Sequence, residues 1–359
     1  MTADPFAVAL QFKVGGSIKS VKRLGEGFIN DTYFAETSHA DTPDYLLQRK
    51  NSHVFENIPG LINNIHLVTA HLKRKIAERG GDPLRESLTM VPALDGTAYY
   101  RDADGEYWVM VLFIQKSTTY ERVSEPGLAL EGGRGIGKFH FLTQDFNEPL
   151  EDILPGFHNI RYRFRQWDEV LDRDPLKRKS KLRDEIGWIE ARRTEMLAFR
   201  KLYEAGTIPV RVSHNDTKIS NILFDDTGKA LCMIDLDTVM NSSLLNDFGD
   251  AIRSYANTGL EDDPDPGNVS LDINIFRAFT RGYLNETSSF LTPSEKQHLA
   301  FSAKYITYEQ VLRFLMDYID GDRYYRIKYP DHNLIRVRAQ YRLLLSMEQQ
   351  YEDMQDIIA

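Results

Sequence analysis

The stretch 212–224, followed by 233–238, limits what this chain can fold into more than any other part of it. It begins with apolar Val212 and passes through the polar loop His214-Asn215-Asp216-Thr217-Lys218-Ile219-Ser220-Asn221 into Ile222-Leu223-Phe224. After a turn at Asp226-Thr227-Gly228-Lys229 comes a second apolar run ending at Asp235. Short apolar runs bounded by turn residues read as strands, so the segment predicts a strand, a polar loop and a hairpin. Two acids and an amide, Asp216, Asn221 and Asp235, would then project from a loop and a strand end. Hard oxygen donors of this kind suit magnesium, which takes one or two carboxylates and fills its shell with phosphate oxygens and water. A surface turn rich in Asn and Asp would use the same residue types. Here, however, the His, the Asp, the Asn and the downstream Ile-Asp-Leu-Asp fall in order between strands.

The spacing H-x-D-x-x-x-x-N resembles the catalytic loop of protein kinases. There an Asp accepts the proton of the attacking hydroxyl, the Asn five residues later holds magnesium, and a strand-borne Asp holds the metal between the phosphates. The resemblance implies Asp216 as base, Asn221 and Asp235 as ligands of Mg2+, and ATP as phosphoryl donor. More narrowly, the chain is similar to the aminoglycoside phosphotransferase and choline kinase superfamily and, within it, to N-acetylhexosamine 1-kinases. Gly25-Glu26-Gly27-Phe28-Ile29-Asn30, Leu47-Gln48-Arg49, His214 to Lys218, Asp235-Leu236-Asp237-Thr238, Asp247-Phe248-Gly249-Asp250 and Lys328-Tyr329-Pro330-Asp331-His332-Asn333-Leu334 carry the similarity, which runs nearly end to end.

What the resemblance implies is an α+β, protein-kinase-like two-lobed fold. Residues 1–115 would form a small nucleotide-binding lobe with an antiparallel sheet plus a helix, and 116–359 a larger, mainly helical lobe for catalysis and the acceptor. His214 would steady the loop. Asp247 would support it by hydrogen bonds, the metal-binding aspartate being Asp235 and not the one in Asp247-Phe248-Gly249. Asp237 would brace the loop or aid the metal shell, and Lys218 would offset charge near Asp216 or lie idle on the surface. The implied acceptor is the anomeric hydroxyl of N-acetylglucosamine or N-acetylgalactosamine. A kinase of choline, homoserine, methylthioribose or an aminoglycoside is the alternative, and a non-catalytic binding module a further one. The presence of Asp216, Asn221 and Asp235 argues against the last.

A net charge of −9 argues against a nucleic-acid partner, because phosphate backbones call for clustered Lys and Arg. The basic run 177–181 reads as a solvated helix face or connection. No apolar run approaches membrane length and the N-terminus lacks a basic and apolar leader, so a cytoplasmic monomer acting on small molecules is expected. Cys232, the single cysteine, lies in an apolar run and reads as a buried small hydrophobe.

Along the chain, strands are expected at 18–24, 32–35 and 44–49, with the glycine turn between the first two. Glycine lets a backbone approach phosphates closely, so Gly25, Gly27, Asn30 and Thr32 are expected against the nucleotide. The third strand is where kinases carry a phosphate-binding lysine; at that place the chain reads Gln48-Arg49, and alternation lets only one of the two face the nucleotide. Arg49 is the expected phosphate contact. An amphipathic helix over 59–79 offers no glutamate to pair with such a residue. Strands at 98–100 and 107–114 lead to a hinge at 115–119, placing Phe113 and Ile114 against the adenine. Residues 126–146 suggest a central helix with His140 in its core. The acidic loop 257–270 lacks the spacing of an EF-hand, and helices are expected at 272–288, 293–319 and 332–354. Arg313, Asp317 and Tyr324 suit a sugar, whose hydroxyls take directional hydrogen bonds and whose apolar faces stack on rings. An ordinary Arg313–Asp317 pair on the helix surface would use the same spacing.

Overall fold

The computed structural model describes residues 3–25 and 30–359. The chain forms two compact units: Met1–Thr119 with Leu142–Leu154 and Ile222–Asn241, and Tyr120–Phe141 with Pro155–Asn221 and Ser242–Ala359. The expected break after residue 115 thus moves to Thr119, and the first unit gains two later segments. The reason is a strand pairing: Ser117–Thr118 adds an edge to the hairpin of Ile222–Asp225 and Ala230–Met233.

The first unit is built on an antiparallel sheet in the order Ile18–Arg23, Asp31–Thr37, Tyr45–Arg49, Tyr107–Leu112, Met90–Val91, with Tyr100–Arg101 also paired to Tyr107–Leu112. Alternation sorts the third strand: Tyr45 and Leu47 point into a core with Phe12, Ala35, Trp108 and Met110, while Leu46 and Gln48 point to the other face. The helix Ile58–Glu78 starts at an Asn57 side chain that accepts from the Gly60 N–H at 3.0 Å. Its Leu61, Ile65, Val68, Leu72 and Ile76 recur at helical spacing and are all buried.

The second unit is helical, and the long helix Pro293–Asp320 runs through it. A reciprocal capping box between Thr292 and Glu295 starts this helix, and Gly321, at φ 100°, ends it. The helices Ile160–Arg173, Leu244–Tyr255 and His332–Gln349 pack on it. The expected helix 332–354 is broken at Gln350 and continues as Tyr351–Ile358. Small residues in the helix Pro126–Thr143 allow backbone contact with the helix Ile273–Thr287: a Cβ added at Gly282 would lie 2.0 Å from the Leu130 carbonyl oxygen. Gly282→Ala should therefore force the two helices apart at a cost of roughly 1–3 kcal/mol, seen as a lowered midpoint in a thermal melt. An unchanged midpoint would mean that this crossing is looser than described. No helix among the described residues is long and apolar enough to cross a membrane, and Cys232 is buried.

Candidate active site

The loop 213–221 in the second unit is held from below by one buried carboxylate. Asp247 is fully buried, accepts the His214 N–H on Oδ2 and the Asn215 N–H on Oδ1, each at 2.7 Å, and meets His140 Nε2 at 2.8 Å. The other His140 nitrogen faces the Tyr283 hydroxyl at 3.0 Å, so the expected core histidine is a prop of the loop. Asn215 adopts φ 64°, a left-handed conformation that Asn tolerates better than most residues. Asp250 takes the Thr217 N–H at 3.0 Å and is itself gripped by Arg253, which reaches Glu261 at 2.7 Å. Burial of Asp250 would raise its carboxyl, but the Arg253 guanidinium wins and holds it below the usual range.

These braces fix the Asp216 side chain, which stays 28% exposed. Its Oδ2 accepts from Asn221 Nδ2 at 3.1 Å and faces Lys218 Nζ at 3.2 Å. Lys218 is thus engaged with the acid and not idle. Asp216 Oδ1 has no hydrogen-bond partner among the described residues and is the oxygen left for an incoming hydroxyl. His214 accepts the Asp216 N–H on Nδ1 at 3.3 Å. Because Asn221 uses its amide nitrogen on Asp216, its oxygen is the atom that would serve a cation.

Asp235 belongs to the first unit. It follows the strand Ala230–Met233 in a left-handed conformation, φ 58°, and opens the turn Leu236–Thr238. Asn221 and Asp235, in different units, each carry an oxygen of the kind magnesium takes. Asp237 lies 5% exposed in that turn, with Oδ1 2.5 Å from Lys50 Nζ and Oδ2 accepting from Asn30 Nδ2 at 2.6 Å.

Lys50 was not singled out in the sequence, and it, not Arg49, is the strand-end cation buried against Asp237. Arg49 sits directly opposite Asp31 on the neighbouring strand and is tied to it by an ion pair. Alternation places Lys50 on the face of Gln48, and Lys50 is only 2% exposed. Extending the strand pattern by one residue is the signal that would have found it. Asn30 spends its amide on Asp237 and on the Asn51 N–H, which it accepts at 3.1 Å, and so acts as a tie. Thr32 accepts from Gln48 Nε2 at 3.2 Å. Gly25 has φ 65°, which favours glycine, whereas Gly27 lies outside the described residues. At the expected adenine contact, the Phe113 N–H donates to Asp44 O at 2.9 Å and the Ile114 carbonyl accepts from the Ser117 hydroxyl at 2.6 Å. These two backbone groups are therefore already used.

In the second unit Arg313 and Tyr324 line a cavity of about 340 Å³ with Arg163, Arg173, Asp317 and Tyr325. Arg313 lies over the rings of Phe157, Tyr324 and Tyr325 at 5.5–5.7 Å and, among the described residues, makes only long hydrogen bonds, to Tyr324 Oη at 3.5 Å and Gln310 Oε1 at 3.4 Å. Asp317 is corrected in role. It is buried and accepts from the N–H groups of Arg323, Tyr324 and Tyr325 and from Asn333 Nδ2 at 2.7–2.9 Å, so it shapes the loop after Gly321. Its carboxylate does not pair with Arg313 but accepts four bonds from the loop and Asn333 at the cavity wall. Below the cavity, Glu309 meets His158 at 2.9 Å and Arg163 at 3.4 Å. Burial would raise the Glu309 carboxyl, but His158, Arg163 and Arg313 outweigh it and hold it at about 2. Asn159 caps the helix Ile160–Arg173 through the Tyr162 N–H.

The fold has known relatives. A microcompartment-associated aminopropanol kinase superposes with a TM-score of 0.65 at 18% identity, covering 98% of both chains. An aminoglycoside phosphotransferase from Alicyclobacillus acidocaldarius gives 0.63 at 16% identity, again over 98% of each chain. The Plasmodium vivax ethanolamine kinase gives 0.53 at 14% identity over 90% of this chain and 82% of its own. At such identities the likeness establishes a kinase-like two-lobed α+β fold, as the family resemblance implied. Residues 20–283 match the sequence pattern of the phosphotransferase enzyme family (APH), well over half of the chain, and the protein belongs to that family.

Proposed function

We propose that this phosphotransferase moves the γ-phosphoryl group of ATP to the anomeric hydroxyl of an N-acetylhexosamine, giving the sugar 1-phosphate and ADP. The observation that carries the kinase reading is the Asp216 carboxylate, held on Oδ2 by Asn221 and Lys218 with Oδ1 left for a hydroxyl. Asp216 Oδ1 takes the acceptor's proton as the acceptor oxygen bonds to the γ-phosphorus and the bond to the β,γ-bridging oxygen breaks. Lys218 offsets charge on the acid's other oxygen. Lys50, in place of Arg49, contacts the phosphates, and Phe113 and Ile114 offer their side chains to the adenine. Asn221 and Asp235 hold magnesium, which when bound neutralises charge on the β- and γ-phosphates.

The cavity beside Arg313 offers an acceptor a guanidinium donor and the Tyr324 ring. Arg163, Arg173 and Arg313 line it together with Glu169, Asp317 and Asp320, so its formal charges balance; Arg163 is paired with Glu309 and Arg173 with Asp320. A sugar would stack on Tyr324 and give a carbonyl or hydroxyl oxygen to Arg313. The test is ADP release from MgATP with N-acetylglucosamine, N-acetylgalactosamine, glucose, choline, homoserine and kanamycin, the product read by phosphorus NMR. An anomeric phosphate from the N-acetylhexosamines alone supports the reading, and Arg313→Ala should then raise the sugar's KM about tenfold or more. Turnover only with an amine would overturn the sugar assignment and keep the kinase.

A further inference from the structure

The helix Ile58–Glu78 contains no carboxylate before its last residue, and Glu78 faces Arg74 at 3.2 Å. In kinases the phosphate-binding lysine is steadied by a glutamate in the corresponding helix. Here that helix reaches the turn after Asp235 through a neutral side chain: Asn64 Nδ2 donates to the Val239 carbonyl at 3.0 Å. Lys50 nevertheless has an anionic partner, because a buried ammonium without one would be costly. That partner is Asp237.

We propose that Asp237 is the positioning residue for Lys50, doing from the metal-strand turn what a helix glutamate does in a kinase; this rests on the phosphotransferase reading above. The geometry is a closed ring of contacts within the first unit. Asp237 divides its oxygens between Lys50 and Asn30. Lys50 Nζ also donates to Gln48 Oε1 at 3.0 Å, and Gln48 Nε2 donates to Thr32 on the neighbouring strand. Asn30, just beyond the glycine turn, closes the ring by accepting the N–H of Asn51, the residue after Lys50. An ammonium carries three donors. Two of those of Lys50 are taken among the described residues, and the third is held ready for a phosphate oxygen. With both its oxygens engaged by donors, Asp237 braces the lysine.

The test is a double-mutant cycle on MgATP binding, measured by calorimetry without any acceptor, in wild type, Lys50→Met, Asp237→Asn and the double variant. Asp237→Asn should weaken MgATP about tenfold, Lys50→Met by a similar factor, and the double variant no more than Lys50→Met alone, because both act through one contact. Asp237→Glu should recover part of the loss. Asn30→Ala should give a smaller loss that disappears in the Lys50→Met background, and it serves the test if Asp237→Asn fails to fold in a thermal melt. Losses that simply multiply in the double variant, MgATP binding unchanged in Asp237→Asn, or a loss reversed by excess magnesium would overturn the proposal. Absence of MgATP binding in the wild type would instead overturn the phosphotransferase reading beneath it.

Discussion

Asp216→Asn should lower kcat by about 10²- to 10⁴-fold, the range a positioned acid–base group contributes, while leaving MgATP binding and the thermal midpoint close to wild type. The geometry separates these effects. Asp216 is partly exposed and its backbone is fixed by His214 and Asn221, so an amide of the same shape keeps the loop in place. What it loses is the charge on Oδ1, the oxygen without a partner among the described residues. Steady-state kinetics on the best acceptor and calorimetry with MgATP check the two halves. Turnover near wild type would remove Asp216 from the chemistry. A large loss of nucleotide affinity would show that it acts through the metal and the phosphates. Lys218→Met should fall between, costing kcat less than Asp216→Asn does, since it polarises the acid without accepting the proton.

How far the sequence could be read depends on how local each contact is. The loop 213–221 is contiguous, and its Asp-to-Asn hydrogen bond spans five residues, so the spacing alone implies that Asp216 and Asn221 meet. Asp247 and His140 were legible as props or core residues by pattern, but their meeting across 107 positions was not. Arg49 was misplaced because its fate is decided by Asp31 opposite it on another strand, a register fact with no sequence signature. Lys50 was overlooked for the complementary reason: it lies one residue past the strand's last ladder position, where alternation still governs its direction. At Asp317 the right residue was found with the wrong role. Its i,i+4 spacing to Arg313 suggests a pair, whereas the loop ended by Gly321 folds back and supplies three backbone donors that win over a single guanidinium. The segment 126–146 read only as a central helix; that its glycines admit the backbone of the helix Ile273–Thr287 is seen only in the fold.

Asp247→Ala should be the most damaging single change to folding in the second unit, costing on the order of 3–5 kcal/mol and abolishing measurable turnover. Removing one partner from a buried polar cluster leaves the others without solvent or substitute. Here the others are the N–H groups of His214 and Asn215 and the imidazole of His140. Asp247→Asn is no rescue, because its carboxamide has one accepting oxygen where two backbone donors must be met, and its NH₂ would point at a third hydrogen or at one of them. His140→Ala keeps both backbone bonds and should cost less, about 1–3 kcal/mol. Added to Asp247→Ala it should do little more, since the shared partner is already gone. Thermal melts of the four proteins, followed by circular dichroism, check this order. If Asp247→Ala melted with the wild type yet lacked activity, Asp247 would have to act on substrate or cation rather than beneath the loop. The loop's orientation would then rest on Asp250 and Arg253, which hold Thr217 from the next turn of the same helix.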